Sequence, residues 1–262
     1  MRKIVSYLGP EEVRALGREI VAVQPSFQAS RFSRRACRLI AREQRLFRRI
    51  DAIAGCLREE LPPSIPRALA VVVDSLGSPR TEPGYGPWEK VRILCLARFV
   101  SKFGLEDYEP SMRTLREITR RFTAEFDVRY FIVRHEQALA TLTEWAVDDD
   151  FHVRRLVSES LRPRLPWSFR LAKFVDDPDP VLKILDMLKD DPEKYVRKSI
   201  ANCLGDIAKD HRGKALSILD SWSVTASDER RWIVDRARRR ILGARKNHFS
   251  FNELGAALGF RR

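Results

Sequence analysis

The sequence predicts an all-helical protein made of helix pairs stacked one on another. Three observations carry that prediction. Apolar residues recur at helical spacing along most of the chain, the alternation expected of half-buried strands is nearly absent, and one pattern returns at intervals of about 40 residues. In the segment 31–50, Phe32, Ala36, Leu39, Ile40, Phe47 and Ile50 are spaced to form one apolar face, while Arg31, Arg35, Arg38, Arg42, Arg45 and Arg49 form a second stripe. Such a stripe is either a solvated face or a row of cations facing phosphate. The scarcity of acids within it keeps the second reading open. The segment 77–88 holds Gly77, Pro79, Pro83, Gly84, Gly86 and Pro87 and reads as the one long loop. It suggests a single repeat domain over 1–262, divided into a helical cap (1–76), the loop (77–88) and the repeats proper (89–262).

Beyond the loop the chain resembles itself. Asp149 and Asp150 precede His152-Val-Arg-Arg-Leu-Val, and 43 residues after His152 comes Tyr195-Val-Arg-Lys-Ser-Ile, preceded by Asp190 and Asp191. Val153, Val157 and Leu161 then correspond to Val196, Ile200 and Leu204, the i, i+4, i+8 stripe of a buried helix. Ile233, 37 residues after Val196, opens a further basic helix. An acid before the helix favours its N-terminus, Val enters the core, and Arg faces outward. A period near 40 with paired helices is the mark of a HEAT-like or armadillo-type solenoid, whose repeats bury their apolar faces only by stacking and so create a groove.

Charge indicates what that groove would hold. The 262-residue chain carries 49 Lys plus Arg against 36 Asp plus Glu, a formal charge of +13. An excess of this size implies a polyanionic partner, nucleic acid before all others. Arg154, Arg155, Arg162, Arg164, Arg170 and Lys173, then Arg197, Lys198, Arg230, Arg231, Arg236 and Arg238 to Arg240, recur helix by helix. Together they predict a basic concave face matched to a duplex backbone. No apolar run reaches the roughly 20 residues that span a bilayer, so no membrane partner is expected. Residues 1–9 do not read as a secretory signal, and the expected location is the cytosol. Cys37, Cys56, Cys95 and Cys203 are far apart, and the four histidines lack metal-ligand spacing. The expectation is reduced thiols, no metal, no nucleotide loop and no cofactor.

Three stretches resemble the AlkC branch of the bacterial alkylpurine DNA glycosylases. They are 123–132, 152–167 with its RPRLPW ending, and 195–211 with its DIAKDH ending; 252–260 resembles that family's closing helix. The resemblance spans roughly 90–260. It implies HEAT-like repeats cradling double-stranded DNA, excision of N3-alkylated bases, chiefly 3-methyladenine, and a monomer without cofactor. Some family members continue into an immunoglobulin-like module; the sequence stops at Arg262, about where it would begin, and the repeats are expected to grip DNA without it.

That chemistry suits the residues present. An N3-alkylated purine is already cationic, so its glycosidic bond is weak and the leaving base needs no general acid. The protein must stabilise an oxocarbenium-like sugar and supply water, for which carboxylates serve, and an indole face favours the cationic base. The resemblance assigns Asp206, Glu125 and Glu159 to the acidic positions and Trp167 and Phe126 to the aromatic wall. Arg155 is implied as a phosphate-contacting or carboxylate-orienting residue, and Arg154, Arg162, Arg164, Arg197 and Lys198 extend the DNA-binding set.

Each residue also has a plainer explanation. Glu125 could be a first-turn acid favoured by the helix dipole. Arg155 and Glu159 could be an i, i+4 surface pair, and Trp167 a core anchor. Asp206 reads as lying mid-helix, where Asp is disfavoured. Gly205 stands where the family commonly has Asn, and Ser160, Leu161, Asp127 and Tyr130 also depart from its pattern. No lysine stands out as a Schiff-base nucleophile, so a monofunctional hydrolase is expected. The rival readings are a non-catalytic module for structured DNA and a HEAT scaffold for an acidic protein.

Overall fold

The computed structural model describes residues 4–84 and 88–243, which form two compact units, Met1–Arg134 and His135–Arg262. Among the described residues every regular element is helical. The 252–260 segment lies outside them.

The first unit contains α1 (Pro10–Val23), α2 (Ala29–Ile40), α3 (Leu46–Glu60), α4 (Ile65–Asp74), α5 (Ile93–Phe103), α6 (Tyr108–Thr119) and α7 (Glu125–Arg134). Local signals explain the starts. In α1, Pro10 fills the first turn, where no backbone partner for its nitrogen is needed, and the Glu12 carboxylate accepts the Gly9 N–H at 3.0 Å. Val13, Leu16 and Ile20 then bury one stripe against α2. Elements on both sides of the 77–88 segment pack together: α3 against α5, and α4 against α6.

The arginine stripe of 31–50 is largely engaged within the protein. Arg31 and Arg35 pair with Glu60 and Glu59 on α3, and Arg45 pairs with Glu43. Arg49 donates to the carbonyls of Val5, Leu8 and Glu43. The acids that compensate α2 come from the end of α3, beyond the window in which the stripe was read. Leu39, assigned by spacing to the apolar face, is 52% exposed, because the run breaks between α2 and α3 and the two halves bury different faces.

The second unit contains α8 (Ala138–Trp145), α9 (Phe151–Ser160), α10 (Ala172–Asp176), α11 (Asp179–Met187), α12 (Lys194–Ile207), α13 (Arg212–Ser223) and α14 (Asp228–Gly243). The helices matched by the sequence repeat are neighbours, with α12 packed between α9 and α14. Val153, Leu156 and Val157 of α9, Val196, Ile200 and Leu204 of α12, and Ile233, Ala237 and Ile241 of α14 are all buried. Each such Val, Leu or Ile side chain contributes about 1.5–3 kcal/mol relative to exposure.

The polar part of the repeat is equally regular. Asp148 accepts the Asp150 N–H at 2.9 Å, and Asp191 accepts the Glu193 N–H at 2.8 Å, each tying the turn before its helix. Asp150 then caps α9 by accepting the His152 N–H at 2.8 Å. Arg154 returns to that turn, donating to the carbonyls of Asp148 and Asp149, and Arg197 does the same to Asp191 and Pro192. Arg154 also reaches the next repeat, 2.6 Å from Asp191. Because Asp191 is buried, removing it strands a charge and a turn together. Asp191→Ala is expected to cost about 2–4 kcal/mol, read as a lower urea midpoint at unchanged m. An unmoved midpoint would remove the pair from the stacking account.

No helix among the described residues is long and apolar enough to cross a membrane. Cys56, Cys95 and Cys203 are buried free thiols and Cys37 is half-buried; burial pushes the Cys95 thiol up.

Candidate active site

Two carboxylates of the second unit occupy the last turns of neighbouring helices, Glu159 at the end of α9 and Asp206 at the end of α12. The negative pole of a helix disfavours an anion at that place, and both acids are buried, Asp206 completely. Asp206 is thus terminal rather than mid-helix, since α12 ends at Ile207.

One buried arginine joins them. Arg162, just past the end of α9, donates Nη1 to Glu159 Oε1 at 2.5 Å and Nε to Asp206 Oδ2 at 2.7 Å. Ser199 of α12 donates its hydroxyl to Glu159 Oε2 at 2.6 Å, while Arg155 Nη2 stands 3.6 Å from the same oxygen and its guanidinium lies 5.2 Å from the Tyr195 ring centre. Asp206 Oδ1 accepts from Lys209 Nζ at 2.9 Å, with Arg240 Nη2 at 4.0 Å.

Burial works to raise the Glu159 carboxyl, but Arg155, Arg162 and the Ser199 hydroxyl outweigh it and hold it below the usual range. Burial likewise opposes the Arg162 charge, and Glu159 and Asp206 reverse that effect, leaving its pKa raised. At neutral pH Glu159 is therefore an anion and Arg162 a cation.

The sign of the stability effect follows. A carboxyl below its unfolded value contributes stability that is fully present above about pH 4.3 and is lost as pH falls through the folded value. Stability is expected to fall on acidification below about pH 4, and Glu159→Gln should flatten that limb of an unfolding-versus-pH curve. An acid limb of unaltered slope would exclude Glu159 as its source.

Trp167 follows this pair on the loop after α9 and has φ 66°, the left-handed region, which strains a bulky side chain. Such a conformation costs about 1–3 kcal/mol and persists where the surroundings impose it. The loop is tied by the Leu171 N–H to Pro163 O bond at 3.1 Å and the Ser168 N–H to Leu165 O bond at 3.2 Å. Trp167 remains 37% exposed, so it is not a core anchor.

The second unit thus brings Arg155, Glu159, Arg162 and Asp206 together. Arg154 and Arg197 serve the repeat turns, and Arg162 donates to the two acids; none of the three is an open surface cation. Arg164 pairs with Asp210 at 2.6 Å and is about a quarter exposed, while Lys198 is exposed. Glu125 and Phe126 belong to the first unit, both buried at the start of α7, where the helix dipole favours the carboxylate. Phe126 meets Phe47 edge-on, ring centres 5.2 Å apart.

Three contributions escaped the sequence reading. Arg98 joins Asp127 (2.7 Å) to Asp51 (2.8 Å) in the first unit, with Ser101 also donating to Asp127. Burial pushes the Asp127 carboxyl up against the pull of these partners. Lys209 and Arg240 beside Asp206 were the others. Lys209 follows Asp206 by three residues, a spacing that could have revealed it, whereas Arg240 reaches across from another helix. Among the described residues, no group of three or more His, Cys, Asp or Glu side chains forms a possible metal site.

The stacked helix pairs agree with what comparison shows. Residues 113–241, a little under half of the chain, match the family model described as DNA alkylation repair enzyme. The structure of Pseudomonas fluorescens AlkC bound to DNA containing an abasic-site analogue superposes with a TM-score of 0.82 at 34% identity, covering 91% of this chain and 64% of that one. YhaZ of Bacillus subtilis (strain 168) is 35% identical over 201 residues, 76% of this chain and 54% of YhaZ. The chain therefore spans less than two thirds of either relative.

Proposed function

We propose that this chain is a monofunctional DNA glycosylase that hydrolyses the N-glycosidic bond of N3-alkylated, cationic bases in duplex DNA, chiefly 3-methyladenine. One observation carries the reading: Asp206 and Glu159 are buried at the unfavourable ends of two adjacent helices and bridged by Arg162. Stability alone does not call for such an arrangement, since apolar residues of like volume commonly serve a core as well or better. A catalyst of oxocarbenium formation does call for a fixed anion in a site of low dielectric. The likeness to a glycosylase seen with an abasic-site analogue supports the same chemistry.

The geometry supports a division of labour. The departing base carries its own positive charge, so no acid acts on it. As the bond breaks, positive charge gathers on the sugar, where the Asp206 carboxylate stabilises it and orients the attacking water. Arg155 and Ser199 hold Glu159, Glu159 fixes Arg162, and Arg162 fixes Asp206. Trp167 presents its indole to the cationic base. Lys198 and Arg164 meet the backbone. Glu125 is assigned the assisting carboxylate, and Phe126 an aromatic contact, on the family resemblance alone.

The reading is tested by incubating a methylated duplex with the protein and counting aldehyde-reactive abasic sites and strand breaks separately. Abasic sites should accumulate in intact strands. Tight, salt-sensitive binding with no abasic sites would instead identify a non-catalytic DNA module.

A further inference from the structure

Asp206 carries more positive charge than its anchoring requires. Arg162 is buried against Oδ2, but Lys209 and Arg240 approach Oδ1 with side chains 47% and 41% exposed. Arg240 owes its place to Gly205. A Cβ built on Gly205 would lie 2.5 Å from Arg240 Cδ and 2.6 Å from its Nε, so the stem crosses α12 only because that position lacks a side chain. Arg240 also ends a line on α14, with Trp232 and Arg236 at four-residue steps on the same face. Around Trp232 stand Lys194, Arg197 and Arg236, 5.8, 5.9 and 5.4 Å from its ring centre. Cations of α12 and α14 thus gather around Trp232, and on α14 Arg236 is followed one turn on by Arg240 beside the carboxylate.

These cations are held unequally. The buried Arg162 is fixed, whereas Lys209 and Arg240 keep nearly half of their side chains in water and can turn to a competing anion. While all three cations surround Asp206, they cancel much of the negative potential it must present to a cationic sugar. A phosphate close by would attract the two exposed heads and leave Arg162 in place.

We propose that Arg240 and Lys209 form a phosphate subsite for the phosphodiester flanking the excised nucleotide. In the free protein they rest against Asp206. When duplex DNA binds they turn to the backbone, and the carboxylate they leave becomes available to the sugar. The inference rests on the glycosylase reading and adds to it a coupling between backbone contact and the charge at Asp206.

The test compares wild type with Arg240→Ala, Lys209→Ala and Arg240→Lys, with Lys183→Ala, an exposed cation of α11, as control. Binding to a duplex carrying a stable abasic-site analogue is followed by anisotropy across a salt series, and base release from methylated duplex by single-turnover kinetics at saturating protein. Each alanine variant should bind about 3- to 10-fold more weakly at low salt and lose about one unit from the slope of log K against log salt. Arg240→Lys should restore that slope, and Lys183→Ala should change it little. Release from saturated complexes should be unchanged or faster. An unchanged salt slope in both alanine variants overturns the proposal, whether release is lost or retained. So does a lowered slope with slowed release, because the cations would then assist the chemistry from beside Asp206. Failure of the wild type to release base would overturn the glycosylase reading, while the binding series would still decide whether the two cations hold phosphate.

Discussion

Asp206→Asn is expected to slow single-turnover base release about 100- to 1000-fold while leaving duplex affinity nearly unchanged. Asparagine keeps the volume of the buried side chain and still offers Arg162 an oxygen to donate to, so the Arg162–Glu159 pair has no reason to disperse. What disappears is the fixed negative charge facing the sugar. The measurement must therefore separate the chemical step from binding, which single-turnover kinetics at saturating protein does. A parallel fall in affinity and rate would indicate a damaged site rather than a missing charge. Unchanged release would shift the catalytic assignment away from Asp206, with Glu159 the remaining acid of the bridged pair.

Trp167→Gly is expected to separate stability from activity. Glycine occupies the left-handed region freely, so it relieves backbone strain of about 1–3 kcal/mol. The exposed indole has little core packing to lose, so thermal stability should hold or rise. Base release should nevertheless fall about 10-fold or more, as a cation–π contact of up to about 2 kcal/mol with the alkylated base is lost. Trp167→Phe, which keeps a ring but not the relief, should be intermediate in rate and no more stable than wild type. If Trp167→Gly proves less stable at full activity, the loop conformation serves folding and the indole serves nothing else.

The repeat region was readable because its physics is local and periodic. His152 and Tyr195 each stand second in their helices and the Val after each enters the core, whereas α14 starts at Asp228, so Ile233, read as opening that helix, lies in its second turn and is buried there. An Asp-rich turn before α9 and α12 and an arginine in the first turn complete the pattern. The acids Glu159 and Asp206 were also nameable, though their significance came from resemblance. Their placement was not legible. Whether Asp206 lies inside a helix or at its end depends on where α12 stops, and nothing between Gly205 and Asp210 marks that boundary. The arginines misled for a related reason. Charge counted along the chain takes no account of acids brought in from elsewhere, so Arg31 and Arg35 met Glu60 and Glu59 unforeseen. Arg154 and Arg197 look like phosphate ligands in the sequence, yet they tie down the turns of their own repeats. Arg240 was hidden most completely, since its contact with Asp206 depends on the missing side chain of Gly205.

The most direct test of the central claim is the identity of what the wild-type protein releases from a uniformly methylated duplex, determined by chromatography and mass. The account predicts free 3-methyladenine in step with abasic sites, without added metal or cofactor and without strand cleavage. Salt-sensitive binding to the same duplex with no free base in solution would contradict it.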